Sequence, residues 1–85
     1  MRHARPEDLD RLDDLLGQLR ALPGLTEKSP GTFYVKSRAF LHFHQDPKGM
    51  FADLRDASGA GFERIDVTDA AGQAELVARA RERLG

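Results

Sequence analysis

Between Pro6 and Leu22 the apolar positions keep a helical rhythm. Leu9, Leu12, Leu16 and Leu19 recur at spacings of three, four and three, and Leu15 and Leu22 widen the stripe. Pro6 suits the first helical position, where a missing N–H costs nothing. Glu7, Asp8 and Asp10 place negative charge at the positive end of the helix dipole. Pro23-Gly24 stops the helix. A buried leucine contributes about 1.5–3 kcal/mol, so this stripe supplies a large share of the core energy.

A polar loop is expected over Leu25–Gly31, and then the rhythm changes to two. Thr32–Val35 is β-branched and aromatic and reads as a strand. Lys36-Ser37-Arg38 reads as a tight turn, and Ala39–His44 as a second strand. Gln45–Gly49 is a turn with Pro and Gly in suitable places, followed by a strand over Met50–Leu54. Asp56–Gly61 is a flexible connection to a fourth strand, Phe62–Val67. The helical rhythm returns from about Asp69 to Leu84, with Gln73, Leu76, Val77, Ala80 and Leu84 on one face and Thr68 as a plausible N-cap. Arg79, Arg81 and Arg83 suit the C-terminal end of that helix.

Short connections make neighbouring strands antiparallel. The predicted fold is therefore α+β, an α-β-β-β-β-α order in two layers, with both helices on one face of an antiparallel sheet. Alternation assigns Leu41, Phe43, Met50, Ala52, Leu54, Ile65 and Val67 to the covered face. It assigns Phe40, His42, His44, Phe51, Asp53, Arg55, Phe62, Arg64 and Asp66 to the open one. The first strand has two solutions: a three-residue turn puts Phe33 and Val35 in the core, and a two-residue turn puts Tyr34 there.

Composition narrows the function. The 85 residues make one domain, 1–85, with 40% hydrophobic and 32% charged residues, an ordinary balance for a globular chain. A net charge of −1 provides no global field toward nucleic acid. The absence of cysteine excludes disulfides, thiol nucleophiles and zinc–thiolate sites. No apolar run approaches the roughly 20 residues of a membrane span. The charged start Met1–Pro6 is followed by no apolar signal core, so a cytoplasmic setting without membrane contact is expected.

The open face is the candidate ligand-binding surface: Phe40, His42, His44, Phe51, Asp53, Arg55, Phe62 and Arg64. Exposed rings stack on flat groups, and arginines hold phosphates or carboxylates. The same face serves equally as a homodimer interface or lies under loops. His42 and His44 are two apart on a strand and share a side; with Asp46 or Asp53 they make a two-histidine, one-carboxylate set that suits a metal. Such pairs are more commonly hydrogen-bonded surface residues. The acidic run of Glu7, Asp8, Asp10, Asp13 and Asp14 reads as a solvated helix face, and Glu82 interrupts the basic end of the last helix. Ser29, Ser37 and Ser58 sit in turns, and no nucleophile elbow, phosphate loop or dinucleotide fingerprint is present. No catalytic residue and no cofactor is assigned. The expected function is a non-enzymatic binding or interaction module, for nucleic acid, a small ligand or self-association. The alternative is a metal-binding protein or small enzyme built on His42, His44 and Asp53.

The run Val35-Lys36-Ser37-Arg38-Ala39-Phe40 resembles the Val-x-Gly-Lys-x-Phe hairpin of the YjbR/MmcQ-type bacterial domains, with serine for glycine and arginine for lysine. The helix–sheet–helix order is also theirs. The resemblance implies a CyaY-like fold and a role in DNA binding centred on Val35, Arg38 and Phe40. The chain is shorter than those domains and lacks their polar–aromatic C-terminal motif. The stretches Phe40–His44 and Ala52–Arg55 also resemble a motif of short bacterial proteins, to which no chemistry attaches.

Overall fold

Leu9, Leu12 and Leu15 recur every three residues, a shorter repeat than the α-helix has, and the N-terminal helix changes its winding to accommodate them. In the computed structural model, which describes residues 2–85, α1 (Pro6–Leu9) runs into a 3₁₀ turn (Asp10–Leu12) and then α2 (Asp13–Arg20). The continuous helix expected over 6–22 is thus segmented. The tighter turn keeps Leu9, Leu12, Leu15, Leu16 and Leu19 on one buried side. At the start, the Asp8 carboxylate accepts the Arg5 N–H at 2.9 Å, satisfying a donor that the helix leaves free.

Among the described residues six strands form one antiparallel sheet: β1 (Arg2–His3), β2 (Thr26–Ser29), β3 (Thr32–Val35), β4 (Arg38–Asp46), β5 (Gly49–Arg55) and β6 (Phe62–Asp66). The order is β2-β3-β4-β5-β6, and β1 pairs with β4 at Gln45 and His44, past the end of β3. Two strands were not expected. β2 lies where a loop was predicted, because Thr26-Glu27-Lys28-Ser29 has no apolar alternation to reveal it. Local bonds hold it on the sheet edge: the Glu27 carboxylate accepts from Arg20 Nε at 2.6 Å and from the Gly31 N–H at 2.9 Å.

The β3–β4 hairpin settles the open register in an unexpected way. Its turn is the shorter of the two weighed, two residues, Lys36 and Ser37, both at positive φ (49° and 73°). A two-residue turn alone would turn Tyr34 inward. A bulge in β4 prevents it: Tyr34 pairs with Ala39, but Phe33 pairs with Leu41, leaving Phe40 unmatched. Phe33 returns to the core at 1% exposure, and Phe40 enters the core beside it. Phe40 was assigned to the open face from strict alternation; the extra residue breaks that count.

α3 (Ala70–Leu84) closes the fold. Its N-cap is Asp69, whose carboxylate accepts the Gly72 N–H at 2.9 Å, and not Thr68 as expected. Thr68 joins strands instead: its hydroxyl accepts the Met50 N–H at 3.0 Å. Position 72 admits only glycine, because a Cβ there would run into the Asp66 carbonyl oxygen. The helices and one side of the sheet then share a single core. Leu41, Phe43, Met50, Ala52, Leu54, Ile65 and Val67 all lie in it with Leu15, Leu16, Leu19, Leu76, Val77 and Ala80, so the expected covered face is observed. The fold is α+β with its helices on that face.

Candidate functional site on the helix-free face

The central strands position the site by register. β4 and β5 set His42 opposite Asp53 and His44 opposite Phe51, and β5 and β6 set Asp53 opposite Arg64 and Arg55 opposite Phe62. Alternation sends all seven side chains to the side without a helix. The face therefore collects, over three strands, the residues that the sequence placed there, apart from Phe40.

These side chains form a connected array. Arg64 grips Asp53 with two bonds, Nε to Oδ1 at 2.9 Å and Nη2 to Oδ2 at 3.1 Å. His44 Nε2 lies 2.9 Å from Asp53 Oδ2, and His42 Nδ1 lies 4.0 Å from the same oxygen. The two imidazoles meet edge-to-face with centroids 4.9 Å apart. The Phe62 ring stands 5.0 Å from His42 on the other side. The Arg55 guanidinium lies over Phe62 at 4.4 Å, a cation–π contact. Arg55 is anchored by Nε and Nη2, which donate to the Ala39 carbonyl at 3.0 and 2.6 Å. Phe51 shares this face, half-buried across from His44.

Burial is uneven. Asp53 is 8% exposed and is the buried charged residue among those described, whereas Phe62 is 40% exposed. Burial pushes the Asp53 carboxyl up. The Arg64 hydrogen bonds and charge, with smaller contributions from His44 and His42, outweigh burial and hold it below its ordinary value. The carboxylate is ionised and oriented, and is the hub of the array.

His42, His44 and Asp53 each offer a ligand atom, and these atoms lie within 4.8 Å of one another. Of the two carboxylates weighed from the sequence, the structure brings Asp53 to the histidines. Asp46 stays in the β4–β5 turn, where its Oδ1 accepts the Lys48 N–H at 2.9 Å. Two imidazoles and a carboxylate suit a first-row transition metal, which histidine holds at about 2.0–2.1 Å. The Arg64 clamp competes for the carboxylate, since both oxygens already accept from the guanidinium.

Sequence reasoning passed over Arg83. Its place near the helix end was read as complementing the dipole, yet its Nη1 donates to the Arg55 carbonyl at 3.0 Å and its Nη2 pairs with Glu63 at 2.7 Å. It thereby ties α3 to the end of β5. Its spacing from Ala80 and Leu76 was the available signal: these share the buried side of α3. Comparison of the chain with protein-family models, curated proteins and solved structures returns no match to any of them.

Proposed function

We propose that this chain is a non-enzymatic interaction module that meets its partner through the helix-free face of the sheet. The observation that carries the reading is the array Arg55–Phe62–His42–His44–Asp53–Arg64, built across three strands where no helix requires it. A merely solvated face needs no such chain of oriented rings and charges. The charges of this face balance, Arg55 and Arg64 against Asp53 and Asp66, and the whole chain carries −1. That balance disfavours nucleic acid, which is drawn by net positive surface. It suits a second copy of the chain, because a two-fold contact sets each surface against itself, so that a face without net charge meets another without net charge.

Light scattering tests the reading. The expected mass is twice 9.4 kDa, and Phe62→Asp returns it to 9.4 kDa with the circular dichroism spectrum unchanged. A wild-type mass of 9.4 kDa at every concentration rejects self-association. Chemical-shift mapping against nucleotides and short DNA then separates the other ligands, and responses confined to the helices exclude this face altogether.

The likeness to YjbR/MmcQ-type domains supports a DNA contact at Val35, Arg38 and Phe40. The burial of Phe40 and the charge of the chain weigh against it. A cytoplasmic setting belongs with the same proposal. No helix among the described residues is long and apolar enough to cross a membrane.

A second reading rests on the convergence of His42, His44 and Asp53: a divalent transition-metal site, with or without turnover. Metal that binds the fold raises its melting temperature. The expected result is a rise with zinc or nickel that vanishes in the double variant His42→Gln/His44→Gln. No rise at millimolar metal rejects this reading.

A further inference from the structure

The hairpin end of the sheet holds a different feature. Lys36, Arg38, Arg55 and Arg83 rim a cleft of about 290 Å³ floored by Val35, Ala39 and Phe40. Of these four cations Arg83 has a carboxylate partner, Glu63. Among the described residues Lys36, Arg38 and Arg55 enter no ion pair.

The guanidinium groups are gathered, not dispersed. Arg38 Nη2 and Arg55 Nη1 both donate to the Gly59 carbonyl oxygen, at 2.7 and 3.4 Å. Two like charges sharing one neutral acceptor repel each other, and an anion seated between them turns that repulsion into two charge-assisted bonds. The hairpin shows a matching feature. Lys36 and Ser37 both occupy the left-handed region, where asparagine or glycine sits without strain. The turn thus accepts backbone strain at the residue that brings a further charge to the rim. A cleft with an apolar floor and a few converging polar groups is the usual form of a small-molecule site.

We propose that this cleft binds a small organic acid. The carboxylate or phosphate head sits between Arg38 and Arg55 with Lys36 at the rim, and a compact apolar or aromatic body lies on Val35 and Ala39. The cleft shares Arg55 with the sheet-face array, but Arg38 and Lys36 lie outside that array, so the proposal does not rest on self-association.

Phenyl phosphate and phenylacetate are titrated into the full chain while backbone amide shifts are followed, with inorganic phosphate and phenol alongside. The expected result is a saturable shift at residues 35–40 and 59 with one or both acids, weaker binding of inorganic phosphate, and no binding of phenol. The acid that binds more tightly identifies the head group. Arg38→Gln is expected to weaken binding about tenfold. Should that variant fold poorly, Lys36→Gln gives the same reading from an exposed position, with a smaller loss. The proposal is overturned if neither acid shifts the hairpin or if phenol binds as well as the acids. Inorganic phosphate binding as tightly as phenyl phosphate, or both variants binding like the parent chain, also overturns it. A monomeric mass leaves these outcomes unchanged, so the two proposals fail separately.

Discussion

The two sides of the sheet are built by different physics from the same alternating strands. Under the helices the strands present Leu41, Phe43, Ala52, Leu54 and Ile65, and cohesion there comes from apolar area removed from water. On the other side the same strands present His42, His44, Asp53, Phe62 and Arg64, and cohesion comes from bonds with direction: a two-pronged ion pair and edge-to-face rings. The first side tolerates rearrangement as long as volume is conserved. The second loses its contacts when one atom is displaced, because a hydrogen bond weakens steeply with angle. The fold depends chiefly on the first side, which leaves the second available for recognition.

The largest effect is expected on the covered side. Leu41 is fully buried, and Leu41→Ala should cost about 2–5 kcal/mol, measured by urea unfolding. A loss of that size threatens a domain whose whole stability is about 5–15 kcal/mol. Leu16→Ala, on the helix that packs opposite, should cost a similar amount, and an unchanged melting temperature would place Leu16 outside the core.

Next comes the hub of the free side. Asp53→Ala leaves Arg64 and His44 facing each other without the carboxylate between them, at an expected cost of about 1–3 kcal/mol. A double-mutant cycle with Arg64→Ala should show coupling, whereas a cycle between Asp53 and Leu41 should show little. Strong coupling between Asp53 and Leu41 would mean that the two sides are not separable.

How much of this division was legible follows from which signals burial writes into a sequence. The helix stripe and the set from Leu41 to Val67 could be read because burial selects apolar side chains at fixed periods. β2 could not, since an edge strand held by Glu27 carries no apolar period. Phe40 was misassigned because a one-residue bulge reverses every side chain beyond it, and no local residue marks the bulge. The histidine–aspartate convergence was half legible. The spacing of His42 and His44 put them on one side and alternation put Asp53 there with them, but which residue each faces across the strands follows only from the register, which sets His42 opposite Asp53. The Arg64 clamp followed from the same register, and so did the Arg55–Phe62 stack.

Acid provides a smaller and more selective probe. The Asp53 carboxyl lies below its ordinary value in the folded chain, so its stabilising contribution is complete above the unfolded-chain value of about 3.9 and is lost as pH falls through the lower folded value. Glu27 and Glu63, held down by Arg20 and Arg83, act in the same direction. Asp53→Asn should therefore flatten part of the acid limb of stability against pH, not all of it. An unchanged limb would show that Asp53 titrates as an ordinary surface carboxyl. The smallest effect is expected at Phe62, which is partly exposed: Phe62→Ala should cost about 0.5–1 kcal/mol through its contact with Arg55.

The sharpest test of the division uses a sample mixing isotope-labelled and unlabelled chains, in which contacts between copies are read by filtered nuclear Overhauser spectra. Cross-peaks from the Phe62 ring of one copy to residues of β5 and β6 of another are the expected result. Cross-peaks that map instead to α2 or α3, with the Phe62 ring silent, would contradict the account.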